Sequence, residues 1–192
     1  MLELFVVLLI LSSAEGGGLF DFERLIYGNC TEPPVQENFN INKFLGKWYE
    51  IEKTPEMSLE RRCNQATYSF NSEGKITVLY QDILSNGRQR NFQCDAYWTK
   101  GSDPAKMKMK IKYYWLLHSA PLWVLSTDYE HYALIYSCYQ LFYWHVDYTW
   151  ILSRERQLDQ GTVTKLKEIL TSNGIDTAKM ISSDQSMCPE DF

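Results

Sequence analysis

The 192-residue chain lacks the sequence features that catalysis, metal binding and nucleic-acid binding usually require. Its three histidines show no metal-ligand spacing, and there is no G-x-S-x-G elbow, phosphate-binding loop or H-E-x-x-H motif. The formal net charge is -5 at pH 7, whereas a nucleic-acid binder normally carries a basic face. No two cysteines have the C-x-x-C spacing of a zinc or thioredoxin-like site. We therefore expect no cofactor, no metal and no nucleic-acid partner.

The chain also lacks an apolar run of the roughly 20 residues that a membrane-spanning helix needs. The apolar stretch at Leu4–Leu11 is much shorter, and small residues follow it directly. This arrangement is typical of a secretory signal peptide. We predict a signal peptide over residues 1–18, with cleavage between residues 14 and 18, and a single domain over residues 19–192. The mature protein is then expected to be secreted and extracellular.

An extracellular compartment is oxidising, so the default state of the cysteines is disulfide-bonded. The chain has five cysteines, and an odd number leaves one thiol over. Counting alone does not fix which cysteines pair. Asn29-Cys30-Thr31 fits the N-glycosylation pattern, which makes Asn29 a candidate acceptor in a secreted protein.

Aromatic residues are abundant, with 13 Tyr, 9 Phe and 6 Trp. They suit a strand-rich core or an apolar pocket. Alternation is clearest in Lys106–Lys112, where lysine at every second position places the four ammonium groups on one face and apolar side chains on the other. Similar patterns and turn signals predict eight strands, at Lys47–Thr54, Gln65–Phe70, Lys75–Asp82, Gln89–Thr99, Lys106–Trp115, Leu122–Tyr129, Tyr132–Cys138 and Val146–Arg154.

One amphipathic helix is predicted after the strands, over Thr162–Ser172. Its apolar residues recur at helical spacing, and Asn173-Gly174 supplies a C-terminal stop. Because the helix is apolar on one side only, it must lie against another element. We predict an all-β fold, an eight-stranded antiparallel up-and-down β-barrel with this single C-terminal helix packed outside.

Three short motifs occur in order along this pattern. Gly46-Lys47-Trp48 resembles the G-x-W signature of the lipocalin family, Thr127-Asp128-Tyr129 resembles its T-D-Y block, and Arg154 resembles the arginine that ends its last strand. The resemblance implies that Trp48 closes one end of the barrel and that Arg154 packs across its indole by cation–π contact. It also implies the disulfides Cys30–Cys138 and Cys63–Cys188, which leave Cys94 free.

The family resemblance implies a carrier that binds one small hydrophobic ligand in the barrel. Strand parity from Arg154 places Tyr148 and Trp150 inward, and the same rule places alternate residues of neighbouring strands inward. No arginine or lysine is evident among these positions, which favours a neutral or amphipathic ligand over a strongly anionic one. The family resemblance implies that this ligand is a steroid, a fatty acid or a bilin. The predicted ligand-binding residues are Tyr68, Val78, Tyr80, Met109, Ile111, Tyr113, Tyr148 and Trp150.

Two other functions remain open from the sequence. Cys94 could be the nucleophile of a lipocalin-type isomerase if it lies inside the barrel with a lowered pKa. A barrel packed solid would instead indicate a protein that acts through its surface. The apolar run Leu141–Trp144 either continues the strands or forms a patch at the barrel mouth that contacts a lipoprotein or membrane surface.

Overall fold

Strands account for most of the structure. The computed structural model describes residues 25–55, 61–113 and 116–190, with backbone only at 111–113 and 116–118, so the predicted signal peptide lies outside the described residues. The elements in chain order are β1 (Ile26–Tyr27), α1 (Ile41–Phe44), β2 (Gly46–Lys53), β3 (Arg61–Phe70), β4 (Ile76–Leu84), β5 (Gln89–Tyr97), β6 (Lys106–Tyr113), β7 (Leu116–Thr127), β8 (Tyr132–Leu141), β9 (Trp144–Ser153), α2 (Gln160–Ser172) and β10 (Ile181–Ser182).

The strands β2 to β9 form a closed barrel. Each pairs with the next in antiparallel register, and β9 pairs with β2 to complete the ring. The two-residue strands β1 and β10 add to β9 and β2 respectively. The eight-stranded barrel predicted from the alternating pattern is therefore confirmed.

Two strands begin four or more residues earlier than their sequence pattern predicts. β3 begins at Arg61 rather than Gln65, because a bulge between Arg62 and Gln65 shifts the register and breaks the alternation. β7 begins at Leu116 rather than Leu122, and Pro121 lies inside it opposite Lys108.

The helix α2 packs on the outside of the barrel, as predicted. Asp159 is its N-cap and accepts a hydrogen bond from the Thr162 backbone N–H at 2.9 Å. Its buried side chains, Val163, Leu166 and Leu170, form an apolar cluster with the outward faces of β8 and β9. No helix among the described residues is long and apolar enough to span a membrane.

Both predicted disulfides are present. Cys30–Cys138 ties the segment before the barrel to β8, and Cys63–Cys188 ties β3 to the C-terminal tail. Each closes a loop of more than a hundred residues, with sequence separations of 108 and 125. In the chain-entropy account, closing a loop of this length stabilises the fold by about 5 kcal/mol.

Candidate functional site

One end of the barrel, here called the closed end, is filled by aromatic side chains. Trp48 is fully buried, and its indole N–H donates to the Phe44 carbonyl oxygen at 2.9 Å. The ring of Phe44 lies 5.1 Å from the Trp48 ring and 5.0 Å from the Tyr68 ring, centroid to centroid. Phe39 adds a ring contact to Phe44 from the segment before α1. The closed end therefore excludes water.

Arg154 covers the outer side of this aromatic cluster. Its guanidinium carbon lies 3.7 Å from the centroid of the Trp48 ring, as the family motif predicts. The guanidinium also donates to backbone oxygens of Lys43, Phe44, Leu45, Lys47 and Tyr129 at 2.7 to 3.3 Å. A single side chain thus ties α1, the start of β2 and the β7–β8 turn together.

Gly46 makes room for this arginine. Its φ is +96°, in the region that favours glycine, and a Cβ built there would lie 3.2 Å from Arg154 Nη1. The glycine of the G-x-W motif is therefore needed for both its conformation and its size.

The T-D-Y block forms the turn between β7 and β8. Asp128 Oδ1 accepts backbone hydrogen bonds from Glu130, His131 and Tyr132 at 2.8 to 3.1 Å. Partial burial pushes the Asp128 pKa up, but these hydrogen bonds and the one from His131 outweigh it and leave the pKa below its ordinary value. The Thr127 hydroxyl donates to the Tyr132 carbonyl at 2.7 Å. Structural contacts at the closed end are therefore made by the six signature residues of the three motifs, Gly46, Trp48, Thr127, Asp128, Tyr129 and Arg154.

Toward the other end, the inward-facing aromatic residues are only half-buried. This end, here called the open end, carries the β4–β5 turn at residues 85–88 and the β8–β9 turn at Phe142–Tyr143. Tyr148 stacks on Trp150 at 6.0 Å and meets Tyr139 edge-on at 6.2 Å. On the facing side, Tyr80 stacks on Phe92 at 6.2 Å.

The structure brings together most of the residues predicted to bind ligand. Tyr68 and Val78 are fully buried near the closed end, and Met109 is buried above them, where its sulfur accepts a hydrogen bond from the Tyr80 hydroxyl at 3.1 Å. The side chains of Ile111 and Tyr113 lie outside the described part of the chain. Tyr139 and Phe92 were missed by the sequence analysis. Tyr139 could have been found from strand alternation. Cys138 bonds to Cys30 outside the barrel, so the side chain of the next residue in the strand points inward.

The barrel interior also carries charged side chains, at positions other than those predicted to bind ligand. On β5, Cys94 and Ala96 belong to the inner core, so Arg90 shares their face by parity. It lies opposite Asp82 of β4, and its Nε donates to Asp82 Oδ1 at 3.1 Å. Both charges were hard to place from sequence, because charged residues usually mark the outer face of a strand.

Cys94 lies inside the barrel but has the wrong electrostatics for a nucleophile. Burial, followed by the nearby Asp95 carboxylate, raises the pKa of its thiol to about 12. Its sulfur contacts the Met109 sulfur at 3.8 Å. The thiol is therefore almost entirely protonated near neutral pH, whereas a reactive cysteine needs a lowered pKa.

The run Leu141–Trp144 forms an exposed apolar patch at the open end. β8 ends at Leu141, and the exposed fractions of the Phe142, Tyr143 and Trp144 side chains are 62%, 75% and 44%. Tyr27 of β1 extends the patch through an edge-on contact with Trp144 at 5.4 Å. Asn29 is also exposed on this side. Within the described ranges, no group of three or more His, Cys, Asp or Glu side chains could hold a metal ion.

Comparison with known proteins gives consistent results. A family model described as "Lipocalin-like domain" matches residues 39–185. The chain is 48% identical over 188 residues to apolipoprotein D of Macaca fascicularis, covering 96% of this chain and 98% of that protein. It is 31% identical over 171 residues to insecticyanin-A of Manduca sexta, covering 83% and 87%. The structure of lobster apocrustacyanin A1 is 27% identical, with a TM-score of 0.73 and coverage of 88% and 95%.

Proposed function

Since the chain belongs to the lipocalin family, we propose that it is a secreted carrier that holds one small hydrophobic ligand inside its barrel, in apolipoprotein D-like lipid transport. The candidate ligands are a steroid, a fatty acid or a bilin. The predicted contacts are Tyr68, Val78, Tyr80, Met109, Tyr148 and Trp150, with Ile111 and Tyr113 as further candidates.

The main support is the half-burial of Tyr80, Tyr139, Tyr148 and Trp150. These side chains face the interior of a closed ring of strands, so solvent that reaches them must enter from the open end. A barrel packed solid would bury them as completely as it buries Trp48 and Tyr68. Aromatic surface inside a barrel that is closed at one end is a suitable environment for an apolar ligand.

The expected affinity is moderate. A ligand that buries about 400 Å² of apolar surface gains roughly 10 kcal/mol at about 25 cal/mol per Å². Part of that gain offsets the loss of translational and rotational freedom on binding. We therefore expect dissociation constants in the micromolar to sub-micromolar range.

Isothermal titration calorimetry with progesterone, arachidonic acid and biliverdin tests the proposal without relying on tryptophan as a reporter. Saturable binding of at least one of them at one site per chain is expected. Trp150→Ala should weaken that binding about tenfold, because it removes a stacked aromatic wall. Trp98→Ala is the matched control, since Trp98 is exposed and donates to the Pro104 carbonyl oxygen away from the aromatic pairs. No binding of any of the three would instead favour a surface-acting protein.

Supporting observations for secretion come from the covalent structure. Two disulfides of long range fit an oxidising compartment better than the cytosol. The predicted signal peptide at residues 1–18 and glycosylation at Asn29 belong to the same proposal. Intact mass and N-terminal sequencing of protein secreted from transfected cells, before and after glycosidase treatment, test all three.

We further propose that the patch of Tyr27, Phe142, Tyr143 and Trp144 contacts a lipoprotein or membrane surface. Its exposed aromatic rings suit the boundary between water and acyl chains. Co-sedimentation with phosphatidylcholine vesicles should fall several-fold for Phe142→Ser/Tyr143→Ser. Trp98→Ala, which removes an exposed aromatic ring elsewhere, should leave it unchanged. Equal sedimentation of both variants and the unmodified protein would contradict the proposal.

A further inference from the structure

A row of lysines lies on the outer face of β6. Met107 and Met109 belong to the inner core, so the residues that alternate with them, Lys106, Lys108 and Lys110, point outward. These three residues are here called the lysine row. Residues two apart on a strand are separated by about 6.5 Å, so the row extends over about 13 Å in one direction.

The charge of the lysine row is not balanced by carboxylates around it. Among the residues that the structure describes, no carboxylate forms a salt bridge with Lys106, Lys108 or Lys110. The strands β5, β6 and β7 together contain one acidic residue, the half-buried Asp95, which lies opposite Lys110. Residues 100–112 contain five lysines and one acidic residue, although the net charge of the whole chain is -5. The row is therefore a basic surface on an acidic protein.

Aromatic rings on the two neighbouring strands hold ammonium groups of the row without cancelling their charge. The Lys106 Nζ lies 4.0 Å from the centroid of the Trp123 ring on β7, and the Lys110 Nζ lies 5.2 Å from that of the Tyr97 ring on β5. An ammonium group over an aromatic ring keeps its full charge, whereas a carboxylate partner would neutralise it. The Tyr97 hydroxyl shares a hydrogen bond of 3.0 Å with that of Ser119 on β7. The row is therefore held in place and still able to bind an anion.

The position of the lysine row favours an extended polyanion over a membrane. In the ring of strands, β7 and β8 separate β6 from β9, so the row faces a different direction from the exposed aromatic patch at the open end. A flat membrane that contacts the patch would not reach the row. A linear polyanion can follow β6 and contact the three ammonium groups at once, because its charges also follow one direction.

We propose that the lysine row binds a sulfated polysaccharide chain. Sulfate groups are ionised at neutral pH, and their oxygens accept charge-assisted hydrogen bonds from ammonium groups. The choice of a sulfated polysaccharide over a nucleic acid rests on the proposed secretion, whereas the site itself is independent of any ligand inside the barrel. Because the row is in contact with water, binding is driven by the release of counterions and weakens as salt is added.

The test measures binding of a heparin dodecasaccharide, and of the same chain after desulfation, between about 50 and 200 mM sodium chloride. The unmodified protein is expected to bind the sulfated chain only. Lys108→Gln/Lys110→Gln should weaken this binding about tenfold and lower the slope of log K against log salt by about one to two. Lys165→Gln/Lys179→Gln is the matched control, because it removes two charges from exposed positions on α2 and in the C-terminal tail. It should bind like the unmodified protein.

A further variant, Lys108→Arg/Lys110→Arg, separates loss of charge from damage to the strand, since it should keep both the affinity and the salt dependence. Equal weakening by the two glutamine variants would assign the binding to overall charge and overturn the proposal. Tighter binding to phosphatidylserine vesicles or to single-stranded DNA than to heparin would overturn the choice of partner. Failure of heparin to bind would overturn the inference and leave the carrier proposal intact, because calorimetry with apolar ligands tests that proposal separately.

Discussion

The two ends of the barrel are built from the same alternating strands but have opposite interiors. At the closed end, Phe44, Trp48 and Tyr68 fill the space with neutral rings, and Arg154 lies outside them with its donors on backbone oxygens. At the open end, the interior holds half-buried rings together with Arg90 and its partners. The strands line the barrel at both ends. The short helix α1 and the segment before it fill the closed end only.

This difference indicates that the closed end stabilises the fold, and it supports the proposal that a ligand binds toward the open end. A buried ring at the closed end has lost its contact with water and contributes to folding in full. A half-buried ring at the open end retains surface that a ligand can still cover. Substitutions at matched positions of the two ends should therefore have different effects on stability.

The largest effect is expected for Trp48→Ala. Removing a fully buried tryptophan from the closed end should lower the free energy of unfolding by about 3–5 kcal/mol. Trp150→Ala at the open end should cost much less, because its ring is only half-buried. Guanidinium chloride unfolding of the two variants, followed by circular dichroism, measures the difference. Similar losses for both would show that the open end is packed as tightly as the closed end.

The next largest loss of unfolding free energy is expected for Arg154→Gln. This change removes the contact with the Trp48 ring and leaves up to five backbone oxygens short of a donor, at a cost of about 2–4 kcal/mol. Arg154→Lys keeps the charge but not the forked geometry, so it should recover only part of the loss. Arg88→Gln at the exposed open-end turn should change the unfolding free energy by about 0.5 kcal/mol or less. Full recovery by lysine would show that charge alone matters.

A smaller effect is expected for Gly46→Ala. The change combines an unfavourable positive φ with a Cβ 3.2 Å from Arg154 Nη1, and should cost about 1–2 kcal/mol. Gly87→Ala in the β4–β5 turn at the open end has φ +80° but nothing within 4 Å of the new Cβ. Thermal unfolding of both variants separates the effect of the positive φ from the effect of the close contact, because only Gly46→Ala introduces a close contact. Equal losses would mean that Gly46 is required for its φ alone.

The sequence predicted the closed end better than the open end. Gly46, Trp48 and Arg154 belong to family motifs, and each has one role fixed by close packing. The charged side chains at the open end belong to no such motif. Asp82 and Arg90 lie on the inward faces of their strands, whereas charged residues are usually expected on the solvent-facing side. Only the pairing of β4 with β5, together with the placement of Cys94 in the core, shows which way they face.

The short elements β1, β10 and α1 could not be predicted from the sequence, for physical reasons. β1 and β10 have two residues each, too few to show a period, and α1 has four. β1 and β10 form because they pair with long strands of the barrel, and Arg154 holds α1 in place. The eight long strands and α2 were predictable because each repeats its pattern several times against a common core.

The smallest effect is expected for Asp128→Asn in the closed-end turn. The carboxylate pKa lies below its ordinary value of 3.8, so its ionised form stabilises the fold above that value and the stabilisation is lost as pH falls through the lowered pKa. Asparagine keeps an acceptor oxygen but not the charge, so the loss near neutral pH should be about 1 kcal/mol or less. Thermal unfolding of both proteins should differ near pH 7 and converge once the pH has fallen below the lowered pKa, where the natural carboxyl is protonated. A difference that persists at the lower pH would assign the effect to geometry rather than to charge.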